Sequence, residues 1–232
     1  MDKPIIDVII PAYNEEESIG LVVADIPKEW VREVIVCNNA STDETKAVAE
    51  AGGATVLDQP QKGYGSACLK GIEYVRSKPQ TEQPDIIVFL DGDYSDHPEE
   101  LPGLVQPIIE NDVDLVIGSR ALGNMESGAM MPQQVFGNWL ATSLIRLFYR
   151  YEFTDLGPFR AIKWKQLLAI KMEDPDFGWT VEMQVKAAKF KLKCTEVPVT
   201  YRRRVGVSKV SGTIRGTILA GHKILWTIFK LL

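Results

Sequence analysis

Asp85-Ile86-Ile87-Val88-Phe89-Leu90-Asp91-Gly92-Asp93 decides the fold. A short, β-branched apolar run that stops abruptly on charged residues reads as a strand buried on both faces, too short to be a core helix. Working outward, Ile5-Ile6-Asp7-Val8-Ile9-Ile10, stopped by Pro11, has the same character. Between and beyond these runs, helical and extended patterns alternate. Helices are expected from the acidic run Glu15-Glu16-Glu17 to about residue 25, over 43–51, over 64–76 and over 98–110, and strands over 33–37, 54–57 and 113–117. Alternation of this kind with short loops predicts an α/β protein with a mostly parallel sheet. In such sheets ligands gather beyond the carboxyl ends of the strands.

After Gly118 the rhythm changes. Residues 121–133 read as a Gly, Met and Pro-containing loop, 134–151 as a long helix, 154–158 as a turn, and then come a short helix from about Lys163, a helix over 179–190, a strand over 195–201 and a terminal helix from about Ser211. No repeat, low-complexity tract or Pro/Ser-rich linker separates the parts, so one folded unit over 1–232 is expected. Within it, 1–120 holds the strand-end carboxylates, 121–210 forms a second half and 211–232 a C-terminal amphipathic helix. That helix places Ile214, Ile218, Leu225, Ile228 and Leu232 on one stripe and Arg215, His222, Trp226 and Lys230 on another. An apolar stripe usually docks on the protein's own core, and a membrane surface is the other use of such a helix.

The chain has 232 residues, 45% hydrophobic and 25% charged, enough to bury a substantial core and too apolar for a disordered chain. Its net charge of -5 is unevenly divided. Residues 1–159 carry 11 basic and 26 acidic side chains, residues 160–232 carry 15 and 5, so an acidic part is followed by a basic one. Nucleic acid is not an expected partner. The three cysteines, Cys37, Cys68 and Cys194, lack metal-like spacing and read as reduced thiols. Met1-Asp2-Lys3-Pro4 does not resemble a signal peptide and no run is long enough to span a bilayer, so a cytoplasmic protein is expected, with peripheral contact at the inner face of a membrane left open.

Asp91 and Asp93, one residue apart at a strand's carboxyl end, can hold a hard divalent cation, with Ser95, Asp96 or His97 completing the shell. Alone, such a pair is more often a solvated acidic turn before a Pro-initiated helix. Lys62-Gly63-Tyr64-Gly65-Ser66-Ala67 opens a helix with two glycines and a cation, a pattern able to cradle phosphate. Arg120 follows one strand and Arg202, Arg203 and Arg204 follow another, ahead of Ser208 and Lys209; guanidinium forks match phosphate oxygens.

Taken in order, Pro11-Ala12-Tyr13-Asn14-Glu15, Asn38-Asn39-Ala40-Ser41-Thr42-Asp43, Asp91-Gly92-Asp93 and Gly118-Ser119-Arg120 stand at successive strand ends. With Thr154-Asp155-Leu156-Gly157-Pro158-Phe159-Arg160, Gly178-Trp179-Thr180-Val181-Glu182 and Tyr201-Arg202-Arg203-Arg204-Val205-Gly206-Val207-Ser208-Lys209 they run nearly the length of the chain. The series resembles the family 2 glycosyltransferases of the three-layer GT-A (nucleotide-diphospho-sugar transferase) fold, and within them the polyprenyl-phosphate, dolichyl-phosphate mannose synthase-like branch. The resemblance implies inverting transfer of a hexose from a UDP- or GDP-sugar with Mg2+ or Mn2+ on Asp91 and Asp93. It places Pro11, Tyr13, Glu15, Asn39, Lys62, Gly63, Gly65 and Asp91 at the donor, and Arg120, Arg202, Arg203, Arg204, Ser208 and Lys209 at acceptor or leaving-group phosphate. Asp93, Asp155 and Glu182 are implied to be catalytic. If the acceptor is a hydroxyl compound, Asp155 or Glu182 serves as general base; if it is a polyprenyl phosphate, already anionic, they orient the sugar.

The chain departs from the pattern twice. Asn38-Asn39 stands where many relatives carry an Asp pair, and Gln133-Gln134-Val135 where lipid-phosphate transferases often carry an arginine after the helix-preceding Pro. Three other readings are weighed. A nucleotidyltransferase would carry a Gly-rich basic loop after the first strand; a dehydrogenase would carry G-x-G-x-x-G there. The Asn pair motivates a nucleotide-sugar-binding protein without turnover.

Overall fold

The computed structural model describes residues 3–206 and 214–232, with residues 214–220 described by backbone alone. Among the described residues seven strands form one sheet in the order β3-β2-β1-β4-β6-β5-β7. β1 (Ile6–Ala12), β2 (Glu33–Asn38), β3 (Thr55–Asp58) and β4 (Ile86–Phe89) pair in parallel, as do β5 (Leu115–Ser119) and β7 (Cys194–Pro198). β6 (Arg160–Lys163) lies between β4 and β5, antiparallel to both. The chain runs outward from β1 to β3 and returns to place β4 on β1's other side, so β1 and β4 flank a topological switch point.

Side chains alternate across the sheet, giving each face its own core. Ile9, Ile35, Ile87, Phe89 and Ile117 pack under α3 (Tyr64–Ser77), α5 (Pro132–Tyr149), α6 (Trp164–Ile170) and α7 (Trp179–Lys189). Val8, Ile10, Val36, Val88 and Val116 pack under α1 (Ile19–Asp25), α2 (Thr45–Ala51) and α4 (Leu101–Asn111). α8 (Ile214–Lys230) packs on α5 and α7; Ile228 is fully buried, while Trp226, Phe229 and Leu232 are exposed. The expected apolar stripe is therefore only partly inward: Ile228 docks and Leu232 does not, and Ile214 and Ile218 lie outside the described side chains.

Two expectations are corrected. β6 was not expected, because Arg160-Ala161-Ile162-Lys163 is four residues with a charge at each end. The buried Arg160 guanidinium bonds the carbonyls of Gly157, Leu156 and Thr180, which lets a cation begin an interior strand. The Glu15-Glu16-Glu17 run does not open α1 but forms the turn before it, and the N-capping Ser18 sends its hydroxyl to the Gly92 carbonyl at 2.8 Å, joining the loops after β1 and β4.

Candidate active site

A cavity of about 620 Å3 opens at the carboxyl ends of β1 and β4, within the usual range for small-molecule sites. Pro11 near the end of β1, Tyr13 and Glu15 after it, Asn39 after β2, Asp91 and Asp93 after β4, Arg120 after β5, and Lys62, Gly63 and Arg204 all line it. The strand ends thus bring together ten of the residues expected there.

The loops are fixed by one another. Asn14, in a left-handed conformation (φ 53), accepts the Thr42 N–H at 2.8 Å, and the Glu15 N–H donates to Thr45 Oγ1 at 2.8 Å. Asp43 receives the Thr45 N–H at 3.1 Å at the start of α2. Asn39 donates to the Gln61 and Gln59 carbonyls at 2.7 and 3.3 Å and accepts the Gly63 N–H at 2.8 Å. Its amide is thereby locked into the 59–63 loop. A carboxylate in the same place would set an anion against two carbonyl oxygens. Lys62 Nζ lies 2.9 Å from the Tyr13 hydroxyl and 4.7 Å from its ring centroid, at the open side of the cavity.

Asp91, Asp93 and Asp96 crowd the β4 loop. Asp93 Oδ1 takes the Ser95 N–H and hydroxyl at 2.9 and 2.5 Å, and its Oδ2 takes Arg204 Nη2 at 2.7 Å. Among the described residues, Asp91 Oδ1 and Asp96 Oδ1 are buried with no hydrogen-bond partner. Burial, and then the charge of Asp93, push the Asp91 carboxyl up to about 7. Burial and the two neighbouring carboxylates push Asp96 well above the ordinary range. Unpartnered buried acceptors are costly and call for a cation or a proton. Among the described residues no three acidic, His or Cys side chains form a ready-made cage. His97 is turned to Glu99 at 2.8 Å.

Several expected site residues stand elsewhere, for visible reasons. Asp155, only 1% exposed, is clasped by Arg120: the guanidinium reaches its oxygens at 2.6 and 2.8 Å and the Arg120 N–H adds a third bond at 2.8 Å. Its carboxylate lies outside the lining, engaged as the counter-ion of an arginine whose own pKa is driven upward by Asp155 against the effect of burial. Glu182 is buried on α7, accepts the Glu173 and Asp174 N–H groups at 3.1 and 2.8 Å and pairs with Lys186 at 2.7 Å, so it anchors the 173–178 loop and does not face the cavity. Gly65 is covered by that loop; a Cβ there would lie 1.9 Å from the Asp174 carbonyl oxygen. Arg202 stacks at 3.5 Å on the Tyr94 ring and bonds the Tyr94 and Asp96 carbonyls, and Arg203 bonds the Ser127 carbonyl outside the cavity. Ser208 and Lys209 lie outside the described residues.

Other lining residues were not singled out by the sequence reading. Asn138 of α5 holds the 154–156 turn through the Thr154 carbonyl at 2.9 Å and the Leu156 N–H at 2.8 Å. Its one signal was an amide between Gly137 and Trp139 in the middle of α5. Asp176, Phe177 and Thr180 enter from the 173–178 loop and α7, and Gly221 and Ile224 from α8.

A cavity at the switch point of a mostly parallel α/β sheet is where such folds take small ligands. The chain matches the model of glycosyl transferase family 2 over residues 7–168 and belongs to that family. It is 35% identical over 217 residues to an uncharacterized glycosyltransferase of Mycobacterium tuberculosis, covering 93% of this chain and 94% of that one. To the undecaprenyl-phosphate mannosyltransferase of Micrococcus luteus it is 32% identical over 223 residues, covering 90% and 88%. Its fold is the GT-A fold of glucosyl-3-phosphoglycerate synthase from Mycobacterium tuberculosis. That enzyme, solved with Mn2+, UDP-glucose and phosphoglyceric acid, superposes with a TM-score of 0.76 at 22% identity over 98% of this chain and 79% of that one.

Proposed function

We propose that this glycosyltransferase moves a hexose from a nucleoside-diphosphate sugar to a polyprenyl phosphate, with inversion, using Mg2+ or Mn2+ at Asp91 and Asp93. The observation that carries the donor half is the buried, unpartnered Asp91 Oδ1 beside Asp93 at the switch point. When bound, a divalent cation there neutralises the diphosphate and its leaving charge. The relative that acts on undecaprenyl phosphate supports the acceptor half. So does the state of Asp155 and Glu182, whose oxygens are already engaged; a phosphate oxygen needs no base, whereas a hydroxyl does. The acceptor oxygen attacks the anomeric carbon as the bond to the diphosphate breaks, and the electron pair leaves on the diphosphate oxygen. Arg120, held in place by Asp155, and Arg204, set against Asp93, supply positive charge where phosphate oxygens gather. Lys62 and the Gly63 loop bound the donor side. A lipid acceptor also brings the chain to a membrane, as a peripheral protein.

A second reading rests on Asp176. It lines the cavity, and no hydrogen bond or ion pair among the described residues engages its carboxylate, so it can serve as general base toward a soluble hydroxyl acceptor. Thermal-shift titration with UDP, GDP and their sugars, with and without Mn2+ or Mg2+, followed by mass-spectrometric transfer assays on a short-chain prenyl phosphate and on hydroxyl acceptors, separates the readings. Cation-dependent donor binding and transfer to the prenyl phosphate that survives Asp176→Asn is the expected result. Donor binding indifferent to metal, or transfer only to hydroxyls and lost in Asp176→Asn, overturns it.

A further inference from the structure

α5 and α8 wall the cavity with one side and turn an aromatic, basic side outward. Along α5 and its cap, Val135, Phe136, Trp139, Arg146, Leu147 and Arg150 are exposed at helical spacing, so they share one face. Trp139 is 60% and Leu147 68% exposed, and the rings of Phe136 and Trp139 lie 5.8 Å apart. On the side of α5 that packs on α8, the ring of Phe148 meets that of Phe229 at 5.5 Å, and Trp226 is exposed one turn before Phe229. Single exposed apolar residues are ordinary, but an aromatic patch running over two neighbouring helices marks an interaction surface.

Its charge is of one sign. Residues 132–150 and 214–232 contain Arg146, Arg150, Arg215, Lys223 and Lys230 and no Asp or Glu. Lys223 is already paired with Asp174 at 3.0 Å, which leaves the arginines of α5 and Lys230 of α8 for an outside partner. Aromatic and leucine side chains beside unopposed cations match the acyl boundary and the anionic headgroups of a bilayer. A second copy fits less well, because two such faces brought together around a two-fold axis set cation against cation. No helix of the described residues is long and apolar enough to cross a membrane, so contact through this face is interfacial.

We propose that this face docks the chain on an anionic lipid bilayer, with α5 lying along the interface and the inner sides of α5 and α8, at Gln133, Gly137 and Ile224, leading from the lipid surface into the cavity. What the docking serves rests on the lipid-phosphate acceptor proposed above; the docking itself is tested separately. The full chain is sedimented with vesicles of phosphatidylglycerol and phosphatidylcholine and with vesicles of phosphatidylcholine alone. Partition onto the anionic vesicles, weakening as salt rises, is expected. Phe136→Ser with Trp139→Ser lowers it by roughly ten-fold or more, and Arg146→Gln with Arg150→Gln by roughly five-fold per charge. Both variants keep the wild-type melting temperature and wild-type turnover of a short-chain, water-soluble prenyl phosphate. Absence of vesicle binding, or binding that Phe136→Ser with Trp139→Ser leaves unchanged, overturns the proposal. A dimer in analytical ultracentrifugation that the same variant dissociates, with no vesicle binding, assigns the face to a second copy and also overturns it. Vesicle binding without transfer to any prenyl phosphate keeps the docking face and removes the acceptor; transfer to the short-chain acceptor without vesicle binding does the reverse.

Discussion

Asp91 ties chemistry to stability at the scale of a single carboxyl. Its pKa, near 3.8 in an unfolded chain, is pushed up to about 7 by burial and by Asp93. A carboxyl raised in this way contributes stability that is present below its unfolded pKa and lost as the pH rises through the folded one. The metal-free protein is therefore expected to melt at a lower temperature at about pH 8 than at about pH 5.5, and Asp91→Asn, which cannot ionise, to flatten that dependence. Mn2+ competes with the same proton, so its thermal shift grows with pH in the wild type and is absent in Asp91→Asn. Donor turnover by Asp91→Asn falls by roughly a hundred-fold or more. Asp155 makes a contrasting case. Asp155→Ala leaves the Arg120 guanidinium buried without its counter-ion, a loss of about 3–5 kcal/mol to be read from urea denaturation. The positions of Asp91, Asp93, Arg120 and Tyr13 were legible in the sequence because a strand that ends at a loop puts its next residues at the sheet's edge. Catalytic roles for Asp155 and Glu182 came from the family resemblance; the donors that engage them, 35 positions away and on an adjoining loop's backbone, leave no mark in the sequence.

Among the elements, the 173–178 loop carries an unexpected share of the site's order. Glu182 holds its beginning, the Pro175 carbonyl receives the Ser66 N–H at 2.8 Å, and Asp174 meets Lys223 of α8. The start of α3 is thereby clamped, with Gly63 at φ 142 turning the chain into the helix. Gly65→Ala drives a methyl into the Asp174 carbonyl and is expected to cost about 1–3 kcal/mol. Because that contact borders the Lys62-Gly63 segment, calorimetry should also find weaker nucleotide-sugar binding. The strands that alternate with helices in the first 120 residues could be read from their apolar runs. β6 could not, since four residues with a charge at each end carry no period, and only the carbonyls of Leu156, Gly157 and Thr180 make Arg160 acceptable inside a sheet.

For the whole molecule, the division of charge along the chain has a spatial meaning. Asp93 of the first part meets Arg204 of the second at 2.7 Å in the cavity lining, and the basic second part also furnishes α8, which closes one wall. Ile228 fixes that wall. Ile228→Ala opens a cavity beneath α8 at a cost of about 2–4 kcal/mol. Transfer to the acceptor should suffer more than donor binding, because Gly221 and Ile224 belong to α8 whereas the donor-side loops do not; comparing KM for the two substrates checks this.

The place of β6 in the sheet also sets an order of events on the ribosome. β1, β2 and β3 find all their ladder partners, and β4 finds one of its two, by the time residue 89 has emerged, but among the described strands β5 is hydrogen-bonded only to β6 and β7. A nascent chain halted near residue 150 has therefore synthesised β5 and given it nothing to pair with, leaving Leu115, Val116 and Ile117 as an unpaired apolar strand until residues 160–163 arrive. Pulsed hydrogen exchange on stalled chains is expected to find the amides of β1 and β2 protected before those of β5. The half-made protein is thus a client for chaperones over a defined stretch of translation.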